Sequence, residues 1–264
     1  MTSVNRVAGA AAHNRAVERT FDLPRYLSVL PLFQEMSPGE LQRLALGCRL
    51  QRLARGEHVF RVGEACEQFH VTVMGQVKLY ALSPQGQEKV IELIGPGNSF
   101  AEALMFTGKP YIVNAQALTD TLLLSVDKQA VVSEIERDAR FAMRMLAGIS
   151  RRLHGLVHDV QAYALHSGMQ RVIGYLLRDL PEEADDAASF SLADAGCTTA
   201  PAPERREWRV CLPVSKATIA SRLSLTPEYF SRVLHELETE GLIAIDKRDI
   251  RILDAVRLAR HTLQ

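Results

Sequence analysis

The sequence predicts an α+β protein in which a β-roll is followed by one long helix and then by a C-terminal winged helix-turn-helix. Three observations carry that prediction. Between about Cys48 and Ser125, short β-branched and aromatic runs (HVFRV, FHVTV, QVKLYAL, KVIEL, IVNAQA, LLLSV) alternate with glycine-bearing turns. After Asp127 the apolar residues Ala142, Leu146, Ile149, Leu153, Leu156, Val160 and Tyr163 recur in steps of four and three, the seam pattern of a coiled coil. Finally, Val214 to Gly241 (VSKATIASRLSLTPEYFSRVLHELETEG) divides into two short amphipathic helices about a tight turn.

Bulk properties set the frame. A chain of 264 residues is long enough for two domains that each bury a core. With 47% hydrophobic and 23% charged residues it has ordinary globular usage, which excludes a wholly disordered or collagen-like chain. The formal net charge is zero, so nucleic-acid binding has to come from a local basic surface. No stretch approaches the ~20 apolar residues of a membrane helix, and the first residues lack a signal-peptide core. The expectation is therefore a cytoplasmic protein with no membrane partner. Cys48, Cys66, Cys197 and Cys211 lack C-x-x-C or zinc-finger spacing and read as reduced thiols, so no metal site is assigned. Without a nucleophile–base set, paired carboxylates or a Walker loop, the chain is not read as an enzyme.

Taken in order, residues 1–25 are expected to be a mobile tail and residues 26–135 the β-roll with flanking helices. Ser37-Pro38 marks a helix start, with Glu40 completing a capping box. Gly56, Gly63, Gly75, Gly86, Gly95 and Gly97 punctuate the strands where the chain must turn. Residues 136–166 form the long helix, whose apolar seam calls for a partner and makes the chain a homodimer; packing on its own β-domain is the alternative, and separate faces can serve both. Residues 167–264 form the last domain. Ser167 caps its first helix (SGMQRVIGYLLRDL), and an acidic, Pro-containing insertion at about 181–208 buries too little apolar surface to order itself.

The helix-turn-helix carries the chemistry. Lys216 to Leu223 is one helix, Ser224-Leu225 the turn, and Thr226 caps a second helix with Pro227 at its first position. Glu228, Ser231 and Arg232 fall at i, i+3 and i+4 and so share a face near the end that enters a major groove. Arg232 donates bidentately to guanine, Glu228 accepts from a cytosine amine and Ser231 suits several bases. Lys216, Arg222 and Thr226 are placed for phosphate, which positions without specifying. LIAID and IRILD flank Asp246-Lys247-Arg248-Asp249, a hairpin whose tip offers Lys247 and Arg248 to phosphate.

This order of elements resembles the CRP/FNR superfamily of bacterial transcription regulators, from about Leu30 to Asp254. GNSFAEALMF (Gly97 to Phe106) looks like the family's phosphate cassette, G-x-x-F-G-E-x-x-L-F, and TPEYFSR (Thr226 to Arg232) like its recognition-helix motif. The resemblance implies a cyclic-nucleotide-binding-type β-roll with a sensory pocket at Phe100, Glu102, Met105, Phe106 and His70. It implies double-stranded DNA as partner, through a two-fold symmetric site of the TTGAT-N4-ATCAA kind, and RNA polymerase as the partner of an activator. Two departures narrow the signal. Thr107-Gly108-Lys109-Pro110-Tyr111 stands where cyclic-AMP-binding members carry an Arg-Ser pair for the phosphate, which argues against cyclic AMP. No cysteine precedes Cys48, which excludes the N-terminal iron–sulfur cluster of oxygen-sensing FNR proteins. SPQGQEKVIEL (Ser83 to Leu93) is similar to the Dnr group and implies nitric oxide sensing through haem; His70, His154 and His158 are the candidate ligands considered, without an assignment. The rival from another class is a cyclic-nucleotide or other small-ligand regulatory subunit acting through protein contacts, which would need the missing arginine and show no affinity for duplex DNA.

Overall fold

The computed structural model describes residues 21–30, 32–33, 36–178 and 208–261; most of the expected tail, the acidic insertion and Cys197 lie outside the described residues. The chain divides into two compact units, Met1–Val157 and His158–Gln264.

The first unit opens with α1 (Leu23–Val29) and α2 (Pro38–Leu46). The start of α1 falls inside the expected tail, because Asp22 caps it by accepting from Arg25 N at 3.1 Å and Pro24 sits in its first turn. Ser37 caps α2 through a complete capping box, its own N–H donating to Glu40 Oε2 at 2.7 Å. Eight strands follow: β1 (Cys48–Leu53), β2 (His58–Phe60), β3 (Gln68–Met74), β4 (Val77–Leu82), β5 (Glu88–Ile94), β6 (Ser99–Phe100), β7 (Asn114–Ala117) and β8 (Thr121–Asp127). They form two antiparallel four-stranded sheets of order β1-β8-β3-β6 and β2-β7-β4-β5. The sequence runs had not marked β1, where arginine and glutamine interrupt the leucines, or the two-residue β6. Gly75 is where glycine is required: its φ is +91°, and a Cβ there would lie 2.5 Å from Thr121 Oγ1. Gly95, expected to turn in the same way, is not among the positive-φ glycines.

Alternation along β3 organises the core. Phe69 meets Phe33, which stacks on Phe141 of the long helix, at ring-centroid distances of 6.4 and 6.1 Å. His70 points the other way, between Phe60 and Phe100. Helix α3 (Glu102–Thr107) interrupts the strands. Helix α4 (Lys128–Arg137) returns to α2, where Arg43 Nε and Nη2 donate to the two oxygens of buried Glu134 at 2.8 Å each. The long helix α5 (Ala139–Leu165) starts after Asp138, whose extended backbone (φ −141°) separates it from α4. The boundary between the units falls within α5.

The second unit holds the end of α5, then α6 (Gly168–Leu177), β9 (Trp208–Cys211), α7 (Lys216–Arg222), α8 (Pro227–Thr239), β10 (Ile243–Asp246), β11 (Asp249–Ile252) and α9 (Ala255–Arg260). The wing is three-stranded, of order β10-β11-β9, and β9 begins at the last position given to the insertion. Its four residues follow an acidic, low-hydrophobicity stretch and carry no run long enough to stand out. No helix among the described residues is long and apolar enough to cross a membrane.

Candidate nucleic-acid interface

Helix α8 owes its orientation to periodicity. Phe230, Val233, Leu234 and Leu237 are buried, which leaves Glu228, Ser231 and Arg232 exposed together on the opposite face. Thr226 Oγ1 accepts from Tyr229 N at 3.2 Å, so the end that presents the triplet is capped. Arg232 does not wave free: its guanidinium carbon lies 4.8 Å from the centroid of the Tyr229 ring, a cation–π brace on a side chain that stays exposed. Tyr229 is a residue the sequence reading missed; the i, i+3 spacing of an aromatic and an arginine on an exposed face was the available signal.

The five residues expected at phosphate separate. Lys247, with φ +55°, and Arg248 are exposed at the β10–β11 tip, Lys216 is half-buried in the first turn of α7, and Thr226 serves as the cap just described. Arg222 stands apart. Its side chain is only 12% exposed, its Nη2 donates to Asp159 Oδ2 at 2.6 Å, and its Nη1 donates to the Tyr163 hydroxyl. A phosphate would have to compete with Asp159 and Tyr163 for this guanidinium. Tyr163, expected on the seam, is half-buried, its hydroxyl donates to the Arg222 carbonyl at 2.6 Å, and burial raises its pKa.

On α5, Leu146, Leu153 and Val160 are exposed at 55%, 60% and 64%, and they are joined by Met143 and Val157. Of the other expected seam residues, Ile149 lines a cleft, and Ala142 and Leu156 are half-buried. The exposed stripe is thus rotated from the pattern read in sequence, which mixed its residues with neighbours on the helix's inner side.

The β-roll turns its polar chemistry inward. Among the residues expected at a sensory pocket, His70, Phe100 and Met105 are packed in the core and Phe106 is 46% exposed; only Glu102 lines a cleft. That cleft, of about 360 Å³, has apolar walls from Leu30, Phe33, Val71, Met145 and Ile149. At its polar end Arg152 Nη2 donates to Glu92 Oε2 at 2.6 Å, and its Nη1 donates to Ser99 O at 2.5 Å and Glu102 Oε2 at 3.4 Å. Glu92 and Arg152 were not singled out in sequence, because they lie 60 residues apart and nothing in the Ser83 to Leu93 stretch that contains Glu92 points to an arginine on the long helix. Glu102 opens α3 behind Ala101, which takes a left-handed conformation (φ +71°). In the stretch after the cassette, Tyr111 is buried, stacked on Phe60 at 3.6 Å, and its hydroxyl donates to Gln68 O at 3.0 Å.

Of the residue types that ligate haem, the cleft offers methionine, as buried Met145. Among the described residues, no histidine, cysteine or tyrosine lines the cleft, and no group of three or more His, Cys, Asp or Glu could hold a metal. His70 Nδ1 is paired with Ser125 Oγ at 2.9 Å, and desolvation lowers its pKa to about 4. His154 and His158 are exposed on α5.

Comparison with known proteins gives a consistent picture. Residues 50–138 match the family profile described as the cyclic nucleotide-binding domain, and residues 170–261 match the Crp-like helix-turn-helix domain. The chain is 24% identical to the CRP-like cAMP-activated global transcriptional regulator of Mycobacterium tuberculosis, covering 87% of this chain and 95% of that one. It is 28% identical to the transcriptional regulator LdrP of Thermus thermophilus, covering 80% and 96%. The structure of FixK2 from Bradyrhizobium japonicum shares the fold, with a TM-score of 0.65 at 24% identity, over 81% of this chain and 96% of that one.

Proposed function

The chain belongs to the CRP/FNR family of DNA-binding transcription regulators, and from that premise we propose that it acts as a homodimer on a two-fold symmetric site of the TTGAT-N4-ATCAA kind. Each subunit reads one half-site with Glu228, Ser231 and Arg232, while Lys216, Thr226, Lys247 and Arg248 hold phosphate. The observation that carries this reading is the capped, exposed triplet on α8 with Arg232 braced on Tyr229. A two-fold site requires two α8 helices in fixed register. The exposed apolar stripe of α5, Met143, Leu146, Leu153, Val157 and Val160, supplies a seam for pairing. The dimer on DNA is then a platform for RNA polymerase, in keeping with an activator.

The signal is read in the β-roll cleft. Two carboxylates, Glu92 and Glu102, share Arg152 there, an unfavourable setting for the anionic phosphate of a cyclic nucleotide. Nitric oxide, which the Dnr-like wording of Ser83 to Leu93 implies, would need haem, for which this cleft offers Met145 but no histidine, cysteine or tyrosine; no step of the proposed function runs through that group.

Fluorescence anisotropy of the full-length protein on the two-fold duplex and on a scrambled one tests the DNA reading. Wild type prefers the two-fold site. Arg232→Ala removes about 1–3 kcal/mol of discrimination per half-site. If Arg232→Ala kept the preference intact, the assignment of α8 as reader would be wrong.

A further inference from the structure

The engaged state of Arg222 has a counterpart in the turn it borders. Asp159 and Tyr163 stand four residues apart on one face of α5, within the same compact unit as the helix-turn-helix. Arg222, the last residue of α7, is held by both: Nη2 on Asp159 Oδ2 at 2.6 Å, Nη1 on the Tyr163 hydroxyl, and its carbonyl accepting from that hydroxyl at 2.6 Å. The next two carbonyls are gripped from α6, where Arg171 Nη1 donates to Leu223 O at 2.7 Å and Ser224 O at 3.4 Å. Ser224 is the turn between the two helices and has φ +57°, a strained setting for a residue with a side chain. Arg171 also lies 6.0 Å from the centroid of the Tyr163 ring. At the other end of the turn, Tyr229 presses so closely on Gly168 that a Cβ there would lie 2.4 Å from its ring. Three consecutive backbone carbonyls and the brace of Arg232 are thereby referred to the end of α5 and the start of α6.

We propose that Asp159, Tyr163, Arg171 and Arg222 form a latch that fixes the pose of α8 against the end of the long helix, which makes Arg222 a positioning residue for DNA reading rather than a phosphate contact. A rotation of α5 then reaches the reading helix through a few polar contacts that are either made or broken, the discrete behaviour a two-state switch needs. The proposal rests on α8 being the DNA reader.

Its test uses the full-length protein and anisotropy titrations over a range of salt, with operator and random duplexes. The two roles of Arg222 predict opposite signs for Asp159→Asn. As a latch, that substitution lowers operator affinity about tenfold and leaves random-duplex affinity and the salt slope unchanged. Arg222→Met does the same, and the double variant is no worse than either single one. Asp159→Glu restores wild-type preference by keeping the pair. Were Arg222 a phosphate contact, Asp159→Asn would free it, tighten binding to both duplexes and steepen the salt slope, and Arg222→Met would flatten that slope by about 0.9 for each phosphate lost. Either result, or additive losses in the double variant, overturns the latch. Tyr163→Phe keeps the ring and guards against loss of folding: a drop in operator preference at unchanged melting temperature supports the latch, and no change counts against it. A wild-type protein without operator preference would instead strike the reading of α8.

Discussion

Arg232 and Arg152 carry the same guanidinium into opposite surroundings. In the unit that contains the helix-turn-helix, Arg232 is exposed and braced on Tyr229. In the β-roll unit, Arg152 is turned inward, and Glu92, Glu102 and Ser99 take up its donors. One arrangement is prepared for an external partner; the other is already satisfied and must be opened by whatever binds the cleft. A surface that reads DNA can be recognised from exposure alone, whereas a satisfied cluster shows its purpose only through what can displace its contacts. The contrast also holds within the second unit, where Arg222 is held inside by Asp159 and Arg232, ten residues on, is exposed against the Tyr229 ring.

The largest effect that sharpens this contrast is expected on the stripe of α5, the one outward apolar feature of a helix whose other face is packed. Leu153→Lys places two charges at the proposed seam and removes two leucine side chains from it, a loss of about 3–6 kcal/mol of dimer stability. Sedimentation equilibrium should show monomer at concentrations where wild type is a dimer, with each subunit still folded. A dimer unchanged by Leu153→Lys would mean that the stripe is covered by something other than a second copy.

The inward chemistry of the β-roll predicts an acid-sensitive limb. His70 is 5% exposed and its pKa is lowered to about 4 by burial, so below the ordinary value near 6.5 the unfolded chain binds a proton that the folded one does not. The stability that depends on neutral His70 is therefore complete above about pH 6.5 and is lost as pH falls toward 4, by about 3 kcal/mol. Denaturant titrations near pH 7 and pH 4 should show that loss in wild type and a flatter limb in His70→Gln, which is less stable throughout. Parallel falls in the two proteins would assign the limb to other groups.

What the sequence disclosed follows the same division. The reading helix was legible because a cap, a proline at its first position and the spacing of Phe230, Val233, Leu234 and Leu237 fix both its start and its buried face. The roll was legible as a roll, since glycine turns and β-branched runs are local signals. The cleft was not: Glu92, Glu102 and Arg152 come from a strand, a short helix and a long helix, and only the folded chain brings them together. Periodicity also failed to separate the two faces of α5. Steps of four and three fit a seam through Ile149 and Leu156 as well as one through Met143 and Val157, about a third of a turn away. The partner of Arg222 was not legible, because a basic residue beside a helix-turn-helix turn has the same sequence appearance whether or not Asp159 holds it.

The smallest predicted effect compares two residues with side chains in left-handed backbone. Ser224 has φ +57° and Ala101 has φ +71°. The Ser224 carbonyl accepts from Arg171, so part of the cost of its conformation is offset by the contact that the turn makes possible. Ala101 precedes α3 without a side-chain cap, and the contact of its half-buried methyl group with the core offsets only part of the strain. Left-handed backbone costs about 1–2 kcal/mol for a residue with a Cβ, and glycine removes that while adding freedom to the unfolded chain. Ala101→Gly should therefore stabilise the β-roll unit by about 0.5–1 kcal/mol, read as a rise in the denaturation midpoint at unchanged slope. Ser224→Gly should gain a similar amount, because glycine keeps the carbonyl that Arg171 holds. If Ser224→Gly instead lowered the midpoint, the Ser224 side chain would be contributing more to the turn than its left-handed backbone costs.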